Sequence, residues 1–184
     1  MRFILASASP RRRELLQRLV PKFSVVPSSY EEKGVMGAKE TAHAFACGKA
    51  RAVFRDYPDC IVLGADTVVS LDGSVLGKPK DEGQAYEMLQ ALSGREHSVY
   101  TGVCMIKDGL EKSCVEETKV RFLKLSEDKI REYVKSGSPY DKAGGYGIQD
   151  GGLVASYEGS YTNVVGLPLE VVKRFLEELG GGYD

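Results

Sequence analysis

Cys60-Ile61-Val62-Leu63-Gly64-Ala65 constrains the fold more than any other segment of this chain. A strand that is apolar at nearly every position, and not at every second one, is covered on both faces. That is the situation of a central strand in an α/β sheet. Asp66 follows at once and is the only charge between Val62 and Val69. Burying a carboxylate there is costly unless a cation or hydrogen bonds meet it. In open α/β sheets ligands gather at the carboxyl ends of strands, so Asp66 is expected at the end of this strand, facing a cleft. The competing reading has Asp66 capping a turn.

The rest of the pattern alternates strands with helices. Residues 2–7 read as a strand, 10–20 as a helix and 22–27 as a second strand. A loop at 28–38 leads to a long helix over 39–57, with Ala42, Phe45, Ala46, Ala50 and Val53 along one side. Val68–Leu71 and Ser74–Leu76 flank Asp72-Gly73, a hairpin signal. Asp81 can cap a helix over 81–92 that Gly94 stops. Residues 97–107 and 110–123 form a second, longer hairpin. A two-residue loop at Asp108-Gly109 puts Cys104 and Cys114 on its opposite faces. Ser126 caps a helix reaching about 136, a strand follows near 153–157, and Pro168 opens the last helix. No repeat or linker interrupts the 184 residues, which are expected to form one α/β domain with a mixed sheet.

Charge narrows the function classes. The chain carries 25 Lys and Arg against 26 Asp and Glu, a formal net charge of −1. That balance argues against a nucleic-acid coat or a membrane-surface binder. No run approaches the roughly 18 apolar residues of a membrane span. The four cysteines form no C-x-x-C pair, so zinc is not expected and reduced, buried thiols are. His43 and His97 stand alone in sequence, with core or surface roles expected. A cytoplasmic protein is the expectation.

Local basic clusters carry more information than the total. In Ser7-Ala8-Ser9-Pro10-Arg11-Arg12-Arg13, Ser9 suits an N-cap and Pro10 the first helical position. The arginines then fall at the positive end of a helix dipole, where a cation is unfavourable unless an anion compensates. Free amides, serines and guanidinium groups together make a phosphate socket. Leu76-Gly77-Lys78-Pro79-Lys80-Asp81 is a second basic loop, and Glu31, Glu32 and Lys49 add charge of both signs. Residues 140–152 contain five glycines, which permit close approach to a ligand. Tyr146 there can stack on a base and Gln149 can read a base edge. A triphosphate with a divalent cation uses all these parts: basic groups for phosphate and carboxylates for Mg²⁺ or Mn²⁺. No Walker A sequence occurs.

Taken in order, Ser7-Ala8-Ser9-Pro10-Arg11-Arg12, Gly64-Ala65-Asp66-Thr67, Gly77-Lys78-Pro79, Leu92-Ser93-Gly94, Asp141-Lys142-Ala143-Gly144 and Gly166-Leu167-Pro168 resemble the Maf family of nucleoside triphosphate pyrophosphatases. The resemblance implies a Maf/Ham1-like fold: an elongated mixed β-sheet with two α/β lobes around a central cleft. It implies metal-dependent hydrolysis between the α- and β-phosphates, releasing monophosphate and pyrophosphate. It also makes Asp66 the proton acceptor, with Glu32, Lys49, Lys78 and Asp81 at further cleft positions and Ser7 and Arg12 in the phosphate-binding turn. Arg11, Thr67 and Gln149 match positions that separate substrate classes. Glu32 and Asp66 are the implied ligands of Mg²⁺ or Mn²⁺, with the division of labour between them open.

Residues 141–149 are similar to the branch acting on dTTP and UTP, with two departures. Gly145 stands where that branch usually has Ala, and Asp150 stands where it has Gly, adding a negative charge beside Gln149. The alternatives are a pyrophosphatase for 7-methyl-GTP or other modified purines, and a nucleotide-binding regulator of septum formation without enzymatic activity. A homodimer is implied, with no direct nucleic-acid or membrane partner.

Overall fold

The computed structural model describes residues 1–34 and 37–181. In chain order its elements are β1 (Phe3–Leu5), α1 (Pro10–Gln17), β2 (Ser24–Val25), α2 (Ala38–Asp56), β3 (Ile61–Leu71), β4 (Ser74–Leu76), α3 (Glu82–Leu92), β5 (Glu96–Lys107), β6 (Leu110–Phe122), α4 (Glu127–Lys135), β7 (Val154–Glu158), α5 (Tyr161–Val165) and α6 (Leu169–Glu178). Between α4 and β7 lie three 3-10 turns, Ser138–Asp141, Ala143–Gly145 and Ile148–Asp150. The strands form one mixed sheet in the order β2-β1-β3-β5-β6-β7, with β4 attached to β3. No described helix is long and apolar enough to cross a membrane.

β3 corrects the reading that Asp66 ends a strand. The two short strands expected at 60–65 and 68–71 are one strand, and Asp66 stands in its middle, opposite Gly102 of β5. Along its other edge β3 changes neighbour. Ile61–Leu63 pair in parallel with β1, and Val69–Leu71 pair antiparallel with β4. Among the described residues no strand pairs with that edge between Gly64 and Val68, and Asp66 and Thr67 fall in this gap. A carboxylate is tolerated within an otherwise apolar strand because the sheet is open at that point.

Helix α2 lies across the same sheet at unusually close range. A Cβ on Gly64 would overlap the Ala46 carbonyl, and one on Gly102 would overlap the Ala42 carbonyl. The i, i+4, i+8 series Ala42, Ala46 and Ala50, each fully buried, therefore seats the helix directly on two glycines of adjacent strands. This contact sets the height of every side chain that α2 directs at the sheet.

Separate cores support the two ends of the long strands. Phe3, Leu5, Leu16, Leu63, Met105, Val172 and Phe175 fill the layer between the β1 end of the sheet and α1 with α6. Val69, Leu89, Leu92, Val120, Phe122, Ile130 and Val134 fill the other, under α3 and α4. The cleft lies between these lobes.

Most boundaries follow the expected caps. Ser9, Asp81 and Ser126 accept from the backbone N–H groups of Arg12, Gln84 and Lys129. The long hairpin pairs Lys107 with Leu110, and Cys104 and Cys114 do point to opposite faces, into different cores. Two features differ from expectation. Tyr161–Val165 is a helix, started by Ser160 accepting from Asn163 N. The glycine-rich segment is a series of tight turns, with Gly144 and Gly145 both at positive φ. The loop expected at 28–38 includes two residues outside the described set.

Candidate active site

The gap in β3 opens into a cleft of about 630 Å³. That volume suits a small-molecule ligand of nucleotide size. Its floor is the β1–α1 turn. Ser9 N donates to Ser7 Oγ, closing a turn that ends at the first residues of α1. Arg12 then reaches three structural elements with one guanidinium group. Its Nε donates to Gly166 O at 2.8 Å, one terminal nitrogen donates to Ser7 Oγ at 3.2 Å and the other to Thr67 Oγ1 at 3.1 Å. Only a planar fork of N–H groups holds three acceptors this way. Thr67 is fixed in turn by Thr101, whose hydroxyl lies 2.9 Å away and donates to Asn163 O.

Opposite this cationic wall stands a charge cluster under α2. Lys49 Nζ lies 2.8 Å from Asp66 Oδ1 and 2.7 Å from Glu32 Oε1. Asp66 and Lys49 are 13% and 16% exposed, whereas Glu32 is 49% exposed, so Glu32 approaches from the solvent side. Burial pushes the Asp66 carboxyl above its usual range, and Lys49 and Arg12 pull in the other direction. Glu32 is brought in by its loop: Tyr30 lies against Gly48 so closely that a Cβ there would meet the tyrosine ring. Two carboxylates converging on one cation form an oxygen donor set of the kind a hard divalent ion takes.

The remaining wall comes from the glycine-rich turns and the β4–α3 loop. Arg11 donates to Asp141 Oδ2 at 2.7 Å and to its carbonyl oxygen at 3.2 Å, tying α1 to those turns. Lys142 Nζ is 2.9 Å from the other oxygen of Asp141. Gly144 N donates to Gly77 O, which joins the turns to the loop carrying Lys78. Lys78 and Gln149 are exposed and line the cleft.

Of the residues expected from sequence, Ser7, Arg11, Arg12, Glu32, Lys49, Asp66, Thr67, Lys78 and Gln149 share this one cleft. Asp81 is not brought there. Its carboxylate caps α3 by accepting from Gln84 N at 2.8 Å, and it does not line the cavity. Tyr146 also differs from the expected stacking platform. Its hydroxyl lies 2.5 Å from His97 Nε2, and Phe122 meets its ring edge-on at 4.7 Å, so the residue lines the cleft while its ring is held by the core. Asp150 does not line the cleft. It accepts from Tyr133 Oη at 2.6 Å, and the same Tyr133 oxygen accepts from Gly147 N. Its charge is thus spent on the turn rather than on the cleft.

Sequence reasoning missed three supports. Thr101, buried in β5, orients Thr67. Phe45, half-buried on α2, forms cleft wall although its spacing reads as core. The Gly166 carbonyl receives Arg12, and only the Gly166-Leu167-Pro168 motif marked the region.

Comparisons with known proteins identify the family. The family described as Maf-like protein matches residues 2–179. The chain is 50% identical over 179 residues to the dTTP/UTP pyrophosphatase of Thermococcus gammatolerans, covering 96% of each chain. It is 46% identical over 185 residues to the dTTP/UTP pyrophosphatase of Carboxydothermus hydrogenoformans, covering 98% of this chain and 100% of the relative. The protein of the same name from Thermococcus onnurineus is 50% identical over 182 residues. With a match over nearly all its length and its expected residues gathered in one cleft, the chain belongs to the Maf-like family.

Proposed function

We propose that this protein is a nucleoside triphosphate pyrophosphatase acting on dTTP and UTP. The observation carrying the proposal is the single cleft in which the Arg12 fork faces the Lys49–Asp66–Glu32 cluster. Relatives of nearly equal length carry the name dTTP/UTP pyrophosphatase, which supplies the substrate class.

Arg12, with Arg11 and Lys78 at the rim, neutralises the triphosphate, and the Ser7–Arg12 turn adds backbone N–H donors. Asp66 accepts a proton from water as the water oxygen attacks the α-phosphorus. The bond from that phosphorus to the bridging oxygen breaks, and the electron pair leaves with pyrophosphate. A carboxyl held above its usual pKa is a stronger base once ionised, which suits Asp66 to this work. Glu32 and Asp66 would hold Mg²⁺ or Mn²⁺, which supplies charge neutralisation and a more acidic water. Gln149 offers both a donor and an acceptor to the pyrimidine edge.

The same reading takes the protein as a cytoplasmic homodimer acting on free nucleotides. The experiment is a panel of triphosphates with Mg²⁺ or Mn²⁺, scored for pyrophosphate against orthophosphate. Pyrophosphate from dTTP and UTP is expected. Orthophosphate would change the bond cleaved, 7-methyl-GTP as the favoured substrate would change the base, and absence of turnover would leave a binding role.

A further inference from the structure

Beneath α2, on its far side from Glu32, the structure gathers a second set of ligating groups that the reaction does not use. Cys47 Sγ, Cys104 Sγ and a carboxylate oxygen of Glu111 all lie within 4.8 Å of one another. His43, one helical turn before Cys47, places Nε2 3.7 Å from the Cys47 sulfur and 2.9 Å from Ser113 Oγ. The sulfurs are buried, at 2% and 0% exposure, whereas His43 and Glu111 reach the surface. We propose that Cys47, Cys104 and Glu111, with His43 as the fourth donor, form a binding site for a thiophilic divalent cation of the zinc class.

The chemistry of the donors selects the ion. Two thiolates with one imidazole and one carboxylate are ligands for zinc-class ions, whereas Mg²⁺ and Mn²⁺ favour oxygen alone. Two sulfurs on one tetrahedral zinc stand about 3.8 Å apart, given Zn–S bonds of about 2.3 Å. The 4.8 Å limit on the spacing of the three donor atoms is compatible with that separation. Both thiols release their protons to solvent as the ion binds. Glu111 is already oriented, because Arg51 donates to both of its oxygens at 2.8 and 2.7 Å. Each oxygen keeps a second lone pair, so Glu111 can serve Arg51 and the ion together.

The position gives such an ion a structural consequence. Cys104 pairs with Gly64, two residues before Asp66 on the neighbouring strand, and Cys47 precedes Lys49 by two residues. An ion bridging Cys47 to Cys104 and Glu111 would fasten α2 to the β5–β6 hairpin. That fastening stabilises the seat from which Lys49 reaches Asp66.

Co²⁺ titration of the reduced, metal-free protein tests the site. One equivalent per chain should produce the near-ultraviolet sulfur-to-cobalt charge-transfer band and the strong visible bands of a tetrahedral ion, both removed by Zn²⁺. Co²⁺ held by Glu32 and Asp66 gives neither, since it has no sulfur ligand. Cys47→Ala and Cys104→Ala should each abolish the charge-transfer band, and Cys114→Ala should keep it. Glu111→Gln, a surface change that leaves the core intact, should weaken Co²⁺ binding about tenfold or more, the loss that even an outer-shell partner produces. Wild-type protein without the band, a band that survives Cys104→Ala, unchanged affinity in Glu111→Gln, or a Cys47–Cys104 disulfide forming with no metal uptake would overturn the proposal.

Discussion

Lys49 Nζ bridges Asp66 Oδ1 at 2.8 Å and Glu32 Oε1 at 2.7 Å, so one ammonium on α2 joins a buried acid to an exposed one. Removing that cation leaves only Arg12 to oppose burial at Asp66, and the carboxyl rises further above its usual range. A base must be deprotonated to act, so the acid limb of the kcat/KM profile follows the Asp66 pKa. In Lys49→Met that limb should move to higher pH, with kcat reduced about a hundredfold. A pH–rate series on dTTP measures both. An acid limb at the same pH would separate Lys49 from the base.

Arg12 should not tolerate lysine. Its guanidinium serves Gly166, Ser7 and Thr67 at once, and a single ammonium cannot span three directions. Arg12→Lys keeps the charge and loses the fork, so KM for dTTP should rise about tenfold or more, as expected for about 1.4 kcal/mol of lost binding. Steady-state kinetics decide this, and a KM within twofold of wild type would reduce Arg12 to a point charge.

Gly102 controls the height of α2. Gly102→Ala pushes a methyl group into the Ala42 carbonyl, and neither backbone can give way cheaply. Overpacking of this kind costs about 1–3 kcal/mol. Urea unfolding should show that loss. Turnover should fall with it, because Lys49 is lifted away from Asp66. Unaltered turnover in a destabilised protein would mean that the helix seat does not set the active-site geometry.

His97 gives the fold an acid-sensitive point. Burial lowers its pKa from 6.5 to about 4, and among the described residues its Nδ1 has no hydrogen-bond partner. Between those pH values the unfolded chain binds more protons than the folded one, so stability increases with pH. The contribution is complete above 6.5 and is lost as pH falls toward about 4. At about 1.4 kcal/mol per unit, the full effect is about 3 kcal/mol. His97→Leu should flatten this slope in melts from neutral to acid pH, while lowering stability near neutrality because the Tyr146 hydroxyl loses its partner. The same slope in the variant would assign the acid sensitivity to another group.

Much of this was legible in the sequence, for physical reasons. Caps at Ser9, Asp81 and Ser126 act locally, within one helical turn, so their signals survive without tertiary context. The central position of β3 follows from its apolar composition. Its continuity through Asp66 could not be read, because the tolerance for that charge comes from a missing neighbour between β1 and β4. Asp81 carries two readings, a helix cap from its local sequence and a cleft acid from the resemblance, and the structure shows the cap. The four-residue register from His43 to Cys47 is visible in the sequence, but Cys104 and Glu111 join it only through the pairing of β5 with β6. Tyr146 reads as exposed within a glycine-rich run. His97 and Phe122, from other strands, make it core.

Asp66→Asn is the substitution that most directly tests the account, since it preserves shape and removes only the charge. Two quantities are needed from the same preparation: dTTP binding and the rate of pyrophosphate release. With dTTP still bound, release should fall by about 10²- to 10⁴-fold, the range for loss of a general base. Release at the wild-type rate would contradict the assignment of Asp66 and the reading of the cleft built around it.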